Sequence, residues 1–325
     1  MSELVIRRAT PDDLDDVLAL LRDAMHRSDD ERFVELFRWK HIDNAFGASP
    51  AWVAVDHSSS DRPRIAAVRY LMRWEFERSG RVVRAVRAVD TATHPDYQGR
   101  GLFTKLTMGA IVDLESEGVD FIFNTPNDQS RPGYVKMGWS ILGQVPVPSR
   151  PLSVQGTIKM ARARVSAAHF SLDVDCAESA AGALADSAEL DALLAMRPPT
   201  SQLQTRLSPS VLRWRYGGQL LTYRAVSTSD GIGIFRIRQR GGARELAIAL
   251  ALSRTGRGGE RRLARSMLRA ARGHADYAIA IGRRPMPTFV PVPKAGPTLA
   301  FRPLGSTPAT TIDDWALTLG DIELL

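Results

Sequence analysis

The sequence predicts an α/β protein built as two domains, and three observations carry that prediction. At 325 residues, with 44% hydrophobic and 24% charged positions, the chain has an ordinary globular composition and is long enough for two cores. Apolar runs with strand alternation are interleaved with stretches of helical period. The order of these elements in the first half then returns in the second, as expected of a duplicated unit.

In the first half, Leu4 to Arg8 alternates as a short strand. Thr10 supplies a helix cap, Pro11 fits the first helical position, and Asp12 and Asp13 favour the positive end of the dipole. The helix that follows gathers Leu14, Val17, Leu18, Leu20, Leu21 and Met25 on one face. A second helix is expected from about Asp30 to His41, leaving through the turn-like Asn44-Ala45-Phe46-Gly47. Three strands are expected next, at 51–55, 64–77 and 81–93, joined by the SSSDRP segment (58–63) and by Ser79-Gly80. His94-Pro95 ends the third strand. The loop Gln98-Gly99-Arg100-Gly101 leads into an amphipathic helix over 102–117, stopped by Gly118, and a buried strand over 119–123.

The proline-rich stretch 146–153 reads as the domain connection, giving domains 1–150 and 151–325. The second half is expected to hold a helix at 187–196, strands at 220–226, 231–239 and 245–252, a helix at 260–271, and a strand at 277–281. Further strands are expected in GPTLAFRP (296–303) and WALTL (315–319). Phe37-Arg38-Trp39-Lys40-His41 matches Leu212-Arg213-Trp214-Arg215-Tyr216 in residue type, and Trp39 and Trp214 are expected to anchor equivalent cores.

Lys and Arg number 43 against 36 acidic residues, a formal charge of +7. The excess favours acidic ligands such as nucleotide-like cofactors, but it is scattered, and no nucleic-acid-binding motif accompanies it. The single cysteine, Cys176, excludes an intrachain disulfide and a cysteine-based zinc cluster, and reads as a packing residue. No apolar run reaches the length of about 20 residues needed to span a membrane, and the N-terminus is too polar for a signal peptide. The expectation is a cytoplasmic, bacterial-type protein with no metal, no nucleic acid and no membrane association.

A glycine turn between a strand and a helix offers backbone N–H groups and a positive dipole end to an anion. By itself it is a weak signal, because many such turns carry glycine for steric reasons. Here THPDYQGRGLFTKL resembles the coenzyme A signature of the GNAT acetyltransferase superfamily, with Gln98 and Gly101 at the matching places and Phe103 where a small residue is usual. A second stretch, Asn127 followed by Tyr134-x-Lys136-x-Gly138-Trp139, is similar to the next segment of that family. Ser130 is expected to cap the short helix there, with Pro132 in its first turn.

The resemblance implies two GNAT-like halves, the first intact and the second degenerate, each a mixed, mainly antiparallel sheet flanked by helices. It implies acetyl-CoA as cosubstrate. The amides of Gln98, Gly99, Arg100, Gly101, Leu102, Phe103 and Thr104 would face its pyrophosphate, and Asn127 would belong to the same site. Its pantetheine arm would lie along the strand at Thr91, Ala92 and Thr93, where a bulge would open the acceptor channel and a backbone N–H would meet the oxyanion. Tyr134 would protonate the departing thiolate, the alternative being a tyrosine packed beneath the cofactor. The base is open among His41, Asp90, His94 and Asp128, with Asp90 the first choice, and Arg100 either contacts phosphate or is solvated. The implied activity is N-acetylation of a primary amine on a small molecule, such as an amino sugar or related metabolite, with a homodimer as a further partner. A mycothiol-synthase-like acetyltransferase and a non-catalytic coenzyme A-binding or regulatory module are the alternatives. The loop at Arg254–Glu260 has glycines and arginines, yet no matching Asn or Tyr segment follows it.

Overall fold

The computed structural model describes residues 4–25, 31–58, 64–163, 165–282, 284–293 and 295–323. The expected helix start at Asp30 and most of the turn at 58–63 lie outside them. Two compact units are present. The first comprises Met1–Phe76, Val82–Gly143 and Thr298–Thr310, and the second Glu77–Arg81, Gln144–Pro297 and Thr311–Leu325. The chain thus returns to its first unit at Thr298–Thr310 before it completes its second.

The first unit opens with β1 (Leu4–Arg8), α1 (Leu14–Ala24) and α2 (Phe33–His41). The turn into α1 is fastened by Asp13, whose carboxylate accepts from the Thr10 amide at 2.7 Å and from Arg7 at 2.6 Å. β2 (Ala51–Asp56), β3 (Arg64–Arg78) and β4 (Arg81–Thr93) follow, then α3 (Leu102–Ser116), β5 (Phe121–Asn124), α4 (Arg131–Lys136) and β6 (Ser140–Gln144). The sheet is completed by the last strand of the chain, β15 (Thr298–Pro303), which inserts between β5 and β6. It pairs antiparallel with β5, Ala300 opposite Asn124.

Helices cover both faces of this sheet, which explains the near-continuous burial of β2 and β3. Val17, Leu20 and Leu21 of α1 and Phe33 and Phe37 of α2 pack on Val53, Val55, Val68 and Tyr70. On the other face, Leu102, Leu106, Ala110 and Leu114 of α3, with Tyr134 of α4, pack on Trp52, Ala67, Leu71, Val86 and Ile122. The parallel ladder of β4 with β5 covers Ala85–Arg87 against Phe121–Phe123, and β4 then runs on to Thr93. Past Arg87, β4 has β3 as neighbour and no strand of the described sheet on its other flank.

The second unit holds β7 (Pro148–Pro151), α5 (Val154–Arg162), β8 (Glu178–Ser179), α6 (Ala180–Ala183), α7 (Ser187–Ala195), β9 (Gln204–Thr205) and α8 (Pro209–Leu212). A π-helical turn (Arg213–Gly217) leads to β10 (Arg224–Thr228), β11 (Gly231–Arg240) and β12 (Ala243–Ser253). Then come α9 (Gly256–Ala270), β13 (Tyr277–Ile279), β14 (Val290–Pro291) and, after β15, α10 (Leu319–Ile322). The sheet order is β14-β7-β13-β12-β11-β10-β8. β12 pairs parallel with β13 over Glu245–Ala247 alone, and β7 pairs antiparallel with β13. In each sheet a parallel pair is thus flanked by an antiparallel strand from a distant part of the chain, β15 in the first unit and β7 in the second.

Three expectations change. The proline-rich 146–153 segment is not a bare connection, because Ser149 and Arg150, set between two prolines, pair with Ile279 and Ala278. WALTL is not a strand: Trp315 makes one isolated bridge to Leu203, and a helix begins at Leu319. Trp39 and Trp214 are half-buried rather than core anchors. The buried residues of the repeated motif are its first and last two, Phe37, Lys40 and His41 in the first unit, Leu212, Arg215 and Tyr216 in the second.

Candidate active site

The glycine turn has the geometry of an anion cradle. Gly99 and Gly101 both have left-handed backbones, with φ of 75° and 71°, and a Cβ built on either would meet nothing within 4 Å. Only glycine takes up that conformation cheaply. The space above the turn is open. Lys105 N–H donates to Gly101 O, so the amides of Leu102, Phe103 and Thr104 lie in the first turn of α3, where a helix supplies no acceptor. Leu102 is buried and pins the helix start, while Gln98, Gly99, Arg100, Gly101 and Thr104 are exposed. Arg100 donates to Asp96 O at 3.2 Å and lies 4.9 Å over the Tyr97 ring, which holds the guanidinium beside the turn. Gln98 Nε2 reaches Thr93 O at 3.5 Å, tying the turn to the end of β4.

The flank of β4 beyond Arg87 carries Thr91, Ala92 and Thr93. Thr91 Oγ1 donates to Val68 O of β3 at 3.0 Å, and Ala92 is buried toward α1 and α2. The side chains thus grip the sheet while the backbone edge stays unladdered.

Tyr134 is buried among Leu102, Met137 and Trp139, with its ring 5.4 Å from Phe103 and 5.2 Å from Trp139. Phe103 fits because residue 133 is glycine: a Cβ there would stand 3.3 Å from the Phe103 ring. The phenolic oxygen accepts from Arg69 Nη2 at 2.7 Å. A guanidinium only donates, so this bond leaves the phenol's own proton uncommitted. Arg69 is 1% exposed and was not among the sequence candidates.

Asp90 sits on the opposite face of the sheet, among the residues of α2. Its Oδ2 is 2.5 Å from Lys40 Nζ and 2.6 Å from His41 Nε2. Burial works against the carboxylate, but the Lys40 charge and the His41 bond outweigh it and hold Asp90 below the usual carboxylate range. Burial lowers the His41 imidazole and outweighs the pull of Asp90, leaving the ring neutral. A carboxylate only accepts, so Nε2 carries the proton, and Nδ1 accepts from Ser49 Oγ at 3.0 Å. The remaining candidates are engaged locally: His94 accepts from the Asp96 amide, and Asp128 pairs with Arg131. Asn127 Oδ1 accepts from the Ser130 amide at 2.9 Å and so fastens the entry to α4, the role expected of Ser130, whose side chain makes no cap bond. The structure therefore groups the glycine turn, the β4 flank, Phe103 and Tyr134, and sets Asp90 apart with Lys40 and His41. Among the described residues no cluster of metal-ligating side chains occurs, and no helix is long and apolar enough to cross a membrane.

The second glycine turn differs from the first. Gly256, at a φ of 60°, is open as well, but Gly259 inside the first turn of α9 lies against Ser253, where a Cβ would stand 2.0 Å from Oγ, and Asp230, bound by Thr255 and Arg262, places a carboxylate of the chain itself beside the start of α9.

Residues 5–142 match the family profile described as Acetyltransferase (GNAT) domain. A search of curated proteins gave no match. Solved structures with a similar fold include a protein of Enterococcus faecalis V583 described as a probable N-acyltransferase. It is 13% identical, with 93% of this chain and 73% of that chain covered and a TM-score of 0.65. GCN5-related N-acetyltransferases from Kribbella flavida (16% identity, 93% and 71% covered, TM-score 0.58) and Anabaena variabilis ATCC 29413 (12%, 92% and 72%, 0.60) are similar as well. At these identities the likeness concerns the fold. The family match thus rests on residues 5–142, the stretch that holds the glycine turn, the β4 flank and Tyr134.

Proposed function

We propose that the protein is an acetyl-CoA-dependent N-acetyltransferase that acylates a primary amine of a small molecule, such as an amino sugar or related metabolite. The observation that carries this reading is the open glycine turn at the end of an unladdered strand flank, in a unit whose tyrosine keeps its proton free. The amides of the turn and first helical turn would hold the pyrophosphate, with Arg100 beside them. The backbone edge at Thr91–Thr93 would pair with the pantetheine amides as an added strand would, and an N–H of that flank would face the carbonyl oxygen. As the amine nitrogen bonds to the acyl carbon, the carbon–sulfur bond breaks and Tyr134 gives its proton to the sulfur. Asp90, held as a fixed anion by Lys40, suits anchoring α2 to β4 better than accepting the amine's proton.

The Asp230 carboxylate held beside the start of α9 by Thr255 and Arg262 supports reading the second unit as a degenerate copy that has lost its own cofactor site. Purified protein mixed with acetyl-CoA and a panel of amines that includes amino sugars should release free thiol. Tyr134→Phe should slow that release by about 10²-fold or more. Coenzyme A binding with no thiol release above background for any amine of the panel would instead make the protein a binding module.

A further inference from the structure

We propose that Arg69 is the positioning residue for the proton that Tyr134 delivers. This rests on Tyr134 acting as the acid. Arg69 lies in the middle of β3 and is buried, and its Nη2 donates to the Tyr134 oxygen at 2.7 Å. The guanidinium also lies over the rings of Phe103 and Tyr134, at 5.1 and 5.4 Å to their centroids, so two aromatic faces fix its plane. Its Nε has no hydrogen-bond partner, and among the described residues no carboxylate pairs with it. A buried cation without a counter-ion is expensive, and an aliphatic side chain would fill the same space at lower cost. The position is thus poorly explained by packing, and well explained by the one group the guanidinium faces.

What Arg69 does follows from its donor-only chemistry. By occupying a lone pair of the phenol it turns the O–H toward the other side, and it cannot take that proton itself. When the O–H bond breaks and the S–H bond of the released thiol forms, the electron pair stays on the phenolate oxygen, 2.7 Å from the cation. The phenolate is then the counter-ion that Arg69 lacked in the resting protein. The surplus proton of the acylated amine restores the phenol, so atoms and charge balance over a turnover. Arg69 touches no substrate and acts through Tyr134.

The test is a double-mutant cycle read in kcat, in KM for acetyl-CoA and in thermal stability. Arg69→Met should lower kcat about tenfold to hundredfold, leave KM within about twofold, and melt no lower than the parent, because it removes an unpaired buried charge. Arg69→Lys, which keeps the cation, should recover most of the loss. Arg69→Met combined with Tyr134→Phe should be no slower than Tyr134→Phe alone. Unchanged kcat in Arg69→Met, or losses that multiply in the double variant, would overturn the assignment, as would a fall in melting temperature that accounts for the lost rate. If Arg69→Met does not fold, Arg69→Lys carries the test, with a few-fold loss expected beside Tyr134 and none in the Tyr134→Phe background. Undiminished kcat in Tyr134→Phe itself is a separate outcome, which removes the acid role and with it the function of Arg69.

Discussion

Asp90 shows how one side chain can be read as chemistry from the sequence and as architecture from its contacts. Asp90 and Lys40 are 11% and 6% exposed, so Asp90→Asn removes the anion that faces a buried ammonium. The expected loss is about 3–5 kcal/mol, read as a lower urea midpoint. Activity lost with the midpoint unchanged would instead restore Asp90 as a proton acceptor. Its partner His41 makes stability depend on pH. The folded-state pKa lies below the ordinary value of about 6.5, so as pH falls the unfolded chain binds the proton first. The contribution is complete above about pH 6.5 and is lost below it. Urea midpoints at pH 7.5 and 5.5 should therefore differ in the parent and converge in His41→Gln.

At the scale of elements, the two glycine turns form an internal control. Gly101→Ala must adopt a φ of 71° and should cost about 1–2 kcal/mol of stability. Its methyl also enters the open cradle, so coenzyme A affinity should fall by roughly tenfold in a calorimetric titration. Gly256→Ala, at a φ of 60°, should lose comparable stability and leave that affinity unchanged. Elements specified by local signals were legible in the sequence. β3 and β4 lie within a residue of expectation because alternation and the left-handed Ser79-Gly80 turn are encoded on the spot. β7 was not, because its flanking prolines argue against a strand until β13 arrives to pair with it. Arg69 was not, because its burial depends on Phe103 from α3 and Tyr134 from α4 closing over β3. The only local hint was an arginine inside the apolar run IAAVRYLM.

At the scale of the molecule, the sequence announced a strand near residue 300 but not which sheet it joins, since pairing across that separation leaves no local trace. The strand joins the first sheet, so a fragment ending at residue 150 lacks the partner of β5 and β6. Such a fragment should be insoluble or molten by circular dichroism and proteolysis, while joining residues 298–310 to it through a flexible linker should recover a cooperative transition. β15 also sets a timetable for synthesis. The strands around the glycine turn leave the ribosome early, but their sheet stays open until nearly the whole message has been translated, a wait on the order of ten seconds at about 5–20 residues per second. During that interval β5 offers an unpaired edge that chaperones must shield. A chain stopped by a premature termination codon would therefore carry every residue of the proposed site and still never assemble it.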